Sequence, residues 1–128
     1  MKLISATVVS VLAATALGAD CFGQPQSDLG KTFGDAYWDA RAKMCGNSDD
    51  CHYQKDCTTY SAKTVQGLIK LTTHVSIKRQ KLGGTGGFKD CWDATEDIIN
   101  QCIYGTGQMS GTWAYNGQLY QISSYFTG

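Results

Sequence analysis

Basic side chains and an imidazole come together around position 74. His74 has Lys70 four residues before it and Lys78 four residues after it, with Arg79 next along. The other histidine is His52. An imidazole with a second histidine or a carboxylate, plus a cation to hold the phosphate, is the set that cleaves a phosphodiester. With Glu96 as the carboxylate, His52, His74 and Arg79 keep a small ribonuclease as a catalytic alternative. No familiar ribonuclease motif surrounds either histidine, and no Gly-x-Ser-x-Gly elbow presents a serine nucleophile. No catalytic residue is assigned. Lys70, His74 and Arg79 stand instead as candidate ligand contacts. The run Lys78-Arg79-Gln80-Lys81 reads either as a solvated strand end or as a small anion patch suited to a sulfated or sialylated glycan, or a phosphate.

Sugars need different chemistry. They present apolar C–H faces and hydroxyls, so a site requires an exposed ring flanked by Asp, Asn or Gln. Tyr37-Trp38-Asp39 is the first candidate, with core packing of Tyr37 and Trp38 as the competing reading. Trp113 and Tyr115 with Gln118 are a second, more strongly claimed by the core. Trp92 is expected to be core.

Six cysteines (Cys21, Cys45, Cys51, Cys57, Cys91, Cys102) are the other reactive groups. An even number in a short chain with a secretory leader implies three disulfides, of which 15 pairings exist. Cys91 and Cys102 are eleven apart. On one straight helix they are separated by roughly 16 Å, and a bridge needs Cα atoms within about 7 Å. Each must reach a cysteine elsewhere. The Cys45-x5-Cys51-x5-Cys57 spacing is not that of a zinc site, so neither metal nor cofactor is expected.

Residues 1–18 read as a secretory signal peptide: Lys2, an uncharged apolar stretch from Leu3 to Leu17, and small residues at Ala16 and Gly18. The stretch is shorter than the roughly 20 residues a membrane span needs, so no transmembrane segment is expected. Residues 19–128 are left as one disulfide-rich domain, secreted and extracellular. Eleven basic and eleven acidic residues balance, which disfavours nucleic acid as the default partner.

The elements that must position these residues follow in order. Asp20 to Thr32 is an extended lead-in pinned by Cys21. Asp35 to Met44 is alanine-rich and helical, capped by Gly34 or Asp35 and ended at Cys45-Gly46. Gly46 to Thr59 is a disulfide-tied loop. Ile69, Leu71, Thr73, Val75 and Ile77 alternate with polar residues, a long strand wet on one face, and Thr64 to Gln66 either begins it or partners it. Leu82 to Gly87 is a glycine linker without the lysine of a phosphate loop. A helix follows, with Asp90 as N-cap and a stripe of Trp92, Ile98, Ile99, Cys102 and Ile103. Asn116-Gly117 predicts a tight hairpin pairing Tyr115 with Gln118, Trp113 with Tyr120 and Gly111 with Ile122. The fold class is α+β: a two-layer sandwich, an antiparallel sheet of three or more strands with two or more helices on one face, stapled by disulfides.

Gly87-Phe88-x-Asp90-Cys91-x-x-Ala94, Ile98-Ile99-x-x-Cys102, then Ser110-Gly111-x-Trp113-x-Tyr115-Asn116-Gly117-x-x-Tyr120-x-Ile122 resemble the small secreted fungal proteins of the Y3-type mushroom glycan-binding family. The resemblance covers about the last third of the chain and the rest by layout. It implies a compact α/β sandwich, binding of extracellular or cell-surface glycans without catalysis, and a homodimer as one arrangement. The layout is also similar to that of killer-toxin-like and Ecp2-like fungal effectors, which implies action on a host or competitor as the alternative.

Overall fold

The computed structural model describes residues 18–23, 34–47, 51–52, 55–68, 70–83, 87–115 and 117–128. The expected signal segment, except Gly18, lies outside these residues, as do Ile69 and Asn116.

Strand β1 is Asp20–Phe22, helix α1 Asp35–Cys45, β2 Cys57–Gln66 and β3 Lys70–Lys81. Helix α2, Cys91–Ile98, continues as a π-helical stretch Ile99–Gly105, followed by β4 Ser110–Tyr115 and β5 Gln118–Thr127. The strands form one five-stranded sheet in the order β1-β4-β5-β3-β2, antiparallel at every pairing. The disulfide-stapled α+β class is as the sequence predicts.

Register decides which residues face the helices. Thr59 pairs with Ile77 and Ile77 with Ile122, and these three are buried. Helix α1 lies on that side: Thr59 Oγ1 donates to the Ala40 carbonyl at 2.9 Å and Ser61 Oγ to Asp39 Oδ2 at 2.7 Å. On α2, Cys91, Ala94, Thr95 and Ile98 point inward, the i, i+3, i+4, i+7 stripe of a helix with one covered face. Beyond Ile98 the wider i→i+5 turns of the π-helix keep Ile99, Cys102 and Ile103 buried as well. The opposite face of the sheet carries no helix among the described residues.

One disulfide staples the two layers and a second joins the two helices. Cys21–Cys102 ties β1 to the π-helical stretch (Cα–Cα 5.1 Å), and Cys45–Cys91 ties the end of α1 to the start of α2 (5.6 Å). Cys51–Cys57 closes the loop before β2. Cys91 and Cys102 each find a distant partner, as their helical separation demands.

The hairpin has the expected register, Tyr115 to Gln118, Trp113 to Tyr120 and Gly111 to Ile122. Gly117 takes φ +74°, the left-handed conformation such a turn needs. Three expectations are corrected. The stretch to Thr59 is not all loop, because β2 begins at Cys57 and runs antiparallel to β3 over ten residues. Trp92 is not core. It follows inward-facing Cys91 by one position, which turns it about 100° around the helix, and it is 47% exposed. Asp90 holds the N-cap position, but its side chain makes no cap bond; its Oδ2 accepts instead from Gln118 Nε2 at 2.7 Å.

Candidate functional site

The uncovered face of β2, β3 and β5 contains a depression of about 470 Å³. Its lining is a lattice set by register. Tyr60 pairs with Ser76 and Ser76 with Ser123; two residues along, Ala62 pairs with His74 and His74 with Tyr125. Alternation sends all six side chains to the uncovered side. The small residues Ala62, Ser76 and Ser123 make the floor. Tyr60, 65% exposed, stands at one corner, and Tyr125, 60% exposed, at the opposite corner. They are two strands and two residues apart, so their Cα atoms are separated by about 12 Å.

The ring at one corner is held in place. His74 and Tyr125 stack with centroids 4.6 Å apart and planes within 9°. His74 Nε2 and Thr127 Oγ1 share a hydrogen bond of 2.7 Å. At the rim, Lys43 reaches round the sheet edge from α1. Its Nζ donates to the Tyr60 carbonyl at 2.9 Å and lies 3.4 Å from Asp39 Oδ2. The Asp39 carboxyl is held below the ordinary carboxylate range, first by the Ser61 hydroxyl and then by Lys43. The site thus offers two rings on a shallow hydroxyl-bearing floor, with a fixed imidazole and an ammonium at the margin. Such a surface can stack apolar ring faces and bond hydroxyls.

Of the residues singled out in the sequence, Lys70 and His74 lie on this face, both on β3. Arg79 does not. It continues the inward alternation of Val75 and Ile77 and is 2% exposed. Its guanidinium donates through Nε to the Lys55 carbonyl (2.8 Å), through Nη2 to the His52 carbonyl (2.9 Å) and through Nη1 to that of Met44 (3.5 Å). It also lies 4.7 Å from the Phe88 ring centroid. Arg79 is a structural cation, not a ligand contact. Tyr37 is also core, fully buried, with its hydroxyl 2.6 Å from Ser124 Oγ; burial pushes its phenol pKa up. The Tyr37-Trp38 platform is therefore not assembled.

Trp38 is half-buried and belongs to another cluster. Its Nε1 donates to Tyr104 Oη at 2.6 Å. The Arg41 guanidinium lies between two indoles, 5.3 Å from the Trp38 ring centroid and 4.8 Å from that of Trp92. Trp113 is buried and Tyr115 is 41% exposed, so the hairpin aromatics divide between core and rim. The sheet also separates His74, on the open face, from Glu96, on α2. His52 lies in the loop closed by Cys51–Cys57, with its carbonyl committed to Arg79.

Tyr60 and Tyr125 are not among the residues that the sequence singles out. Tyr125 was within reach: the hairpin register that sends Tyr120 and Ile122 inward sends Tyr125 outward. Comparison of the chain with protein-family models, curated proteins and solved structures gives no match.

Proposed function

We propose that this chain is a secreted, non-catalytic glycan-binding protein and that the open face of β2, β3 and β5 is its binding site. The observation that carries the reading is the depression between Tyr60 and the His74–Tyr125 stack, floored by Ser76 and Ser123. Rings more than half exposed on a rigid sheet cost little entropy to hold in place, and hydroxyl and imidazole groups between them suit a sugar edge. The leader-like N-terminus, three disulfides and the resemblance to Y3-type fungal lectins support the extracellular setting. On this reading the partners are extracellular or cell-surface glycans, and pairing of two copies, which the resemblance implies, gives a molecule with two such faces.

The test is a glycan array probed with the refolded mature chain and its Tyr60→Ala and Tyr125→Ala variants. Each substitution is expected to weaken a bound glycan at least about tenfold, about 1.4 kcal/mol, in a chain that still melts cooperatively. Binding that survives both substitutions overturns this placement of the site.

One observation favours the effector-like alternative. Trp92, exposed on the helical layer, and the half-buried Arg41 with its guanidinium 4.8 Å from the Trp92 ring centroid are of the residue types that dominate protein–protein hot spots. Growth inhibition of other cells that is lost on Trp92→Ala but kept on Tyr125→Ala supports that reading. The small ribonuclease draws no such support, because His74 and Glu96 stand on opposite sides of the sheet.

A further inference from the structure

We infer that the open face selects acidic glycans, sulfated or sialylated, over their neutral parents; this rests on the glycan reading above. The basis is an asymmetry of charge between the two layers. Helices α1 and α2 carry Asp35, Asp39, Asp93, Glu96 and Asp97 against Arg41 and Lys43. The Asp97 carboxyl is pushed above its ordinary value by burial and by the neighbouring Asp93 and Glu96. The uncovered side is the reverse. None of the outward positions of β2, β3 and β5 is Asp or Glu, while β3 places Lys70, His74 and Lys78 there.

These three residues form a row along the central one of those three strands. Successive members are four residues, or about 13 Å, apart, with Tyr60 on one side of the row and Tyr125 on the other. The two carboxylates nearest in sequence or register lie at the margins. Asp56 precedes β2, and its Oδ1 accepts from the Lys81 amide at 3.0 Å. Asp20 is on the edge strand β1, beyond both β5 and β4. Lys43 adds an ammonium at the rim, half neutralised by Asp39. An oligosaccharide bearing sulfates or carboxylates can rest its apolar faces on the two rings and bring its charges over the lysine row. No carboxylate on β2, β3 or β5 opposes it; Asp20 shares the face but stands three strands from Lys78. A neutral glycan gains only the ring contacts.

The experiment is an array of neutral oligosaccharides printed beside their sulfated and sialylated counterparts, probed with the wild-type chain and with the double variant Lys70→Gln/Lys78→Gln. Both lysines are exposed strand residues, so the variant is expected to fold. Acidic members should bind about tenfold more tightly than their parents, and the advantage should vanish at about 1 M salt, where the Debye length is about 3 Å. The double variant should bring acidic members down to the level of the neutral ones and leave the neutral ones unchanged. Equal binding of matched members by the wild-type chain overturns the acidic preference while leaving the glycan site intact. An array on which nothing binds overturns both. Competition by single-stranded RNA as strong as by a sulfated glycan also overturns the inference, because the face is then a general polyanion surface.

Discussion

Adjacent residues Lys78 and Arg79 should respond very unequally to the same substitution. Replacing Arg79 by Met keeps most of the side-chain volume and removes the guanidinium. Two good hydrogen bonds are lost, to the carbonyls of Lys55 and His52 at 2.8 and 2.9 Å, and one long bond to Met44. Hydrogen bonds involving a charged partner are worth about 1.5–3 kcal/mol each. The bonds to His52 and Lys55 are only part-buried, so the lower end applies to both, about 3 kcal/mol in total. For a domain of this size about 1 kcal/mol moves Tm by roughly 4–8 °C, so the variant should melt about 12–24 °C lower. Lys78→Met alters an outward side chain and should stay within about 0.5 kcal/mol of wild type. The assay is urea unfolding of the two oxidised variants side by side, followed by circular dichroism and tryptophan fluorescence. Equal stability of the two would falsify the assignment of Arg79 as the cation that pins the Cys51–Cys57 loop to the sheet.

The disulfides should rank by the chain they close. By the loop-entropy relation, removing Cys21–Cys102 or Cys45–Cys91, with separations of 81 and 46, costs about 4 kcal/mol each, and removing Cys51–Cys57, with a separation of 6, about 2 kcal/mol. Calorimetry of paired Cys→Ala variants that reverses this order counts against the entropic origin. Gly111→Ala places a Cβ 2.6 Å from Cys102 Sγ and 2.8 Å from Ile98 Cγ2, and should destabilise by the upper part of about 1–3 kcal/mol; an unchanged urea midpoint contradicts the close approach of β4 to α2. Burial holds the Tyr120 phenol well above its ordinary value. The folded state then keeps a proton that the unfolded chain releases, so stability should fall as pH rises through about 10. Tyr120→Phe should flatten that fall. Asp97, also raised, loses stability by the same sign once pH exceeds the ordinary carboxylate value, so Asp97→Asn should be more stable than wild type at neutral pH and no more stable in acid.

What could be read in the sequence was whatever had a hydrophobic period or a turn signal. The alternation of β3 and the Asn116-Gly117 hairpin fix the register that places His74 outward, and the eleven-residue interval forbids a Cys91–Cys102 bridge. Strand β2 had no such period, because its inward positions Thr59 and Ser61 are hydroxyls. Each is satisfied by α1, at Ala40 and Asp39, and such long-range polar pairing leaves no local pattern. Tyr60 was hidden with it. Arg79 shows the converse failure. Its inward parity was readable from Val75 and Ile77, but a buried cation is tolerable only because a distant loop offers carbonyls, and nothing nearby in the sequence announces that loop. Trp92 was misplaced by helix phase alone: the inward stripe starts at Cys91, and its neighbour turns to solvent.

The sheet keeps the core and the proposed binding face on separate sides, and this has a measurable consequence for how the open-face residues combine. His74 and Tyr125 touch as a stacked pair, whereas Tyr60 stands across the floor on β2. Residues in contact couple, while residues more than about 7–10 Å apart without shared partners add. A stacked aromatic pair is worth about 0.5–1.5 kcal/mol beyond its buried area, and removing either member forfeits that once. In a double-mutant cycle on folding stability, His74→Ala with Tyr125→Ala should therefore show an interaction energy of about 1 kcal/mol. Tyr60→Ala combined with either should be additive to about 0.3–0.5 kcal/mol. If Tyr60 couples to Tyr125 as strongly as His74 does, the two corners are not separate groups on a rigid floor, and the open face is not the preformed surface that the proposed site requires.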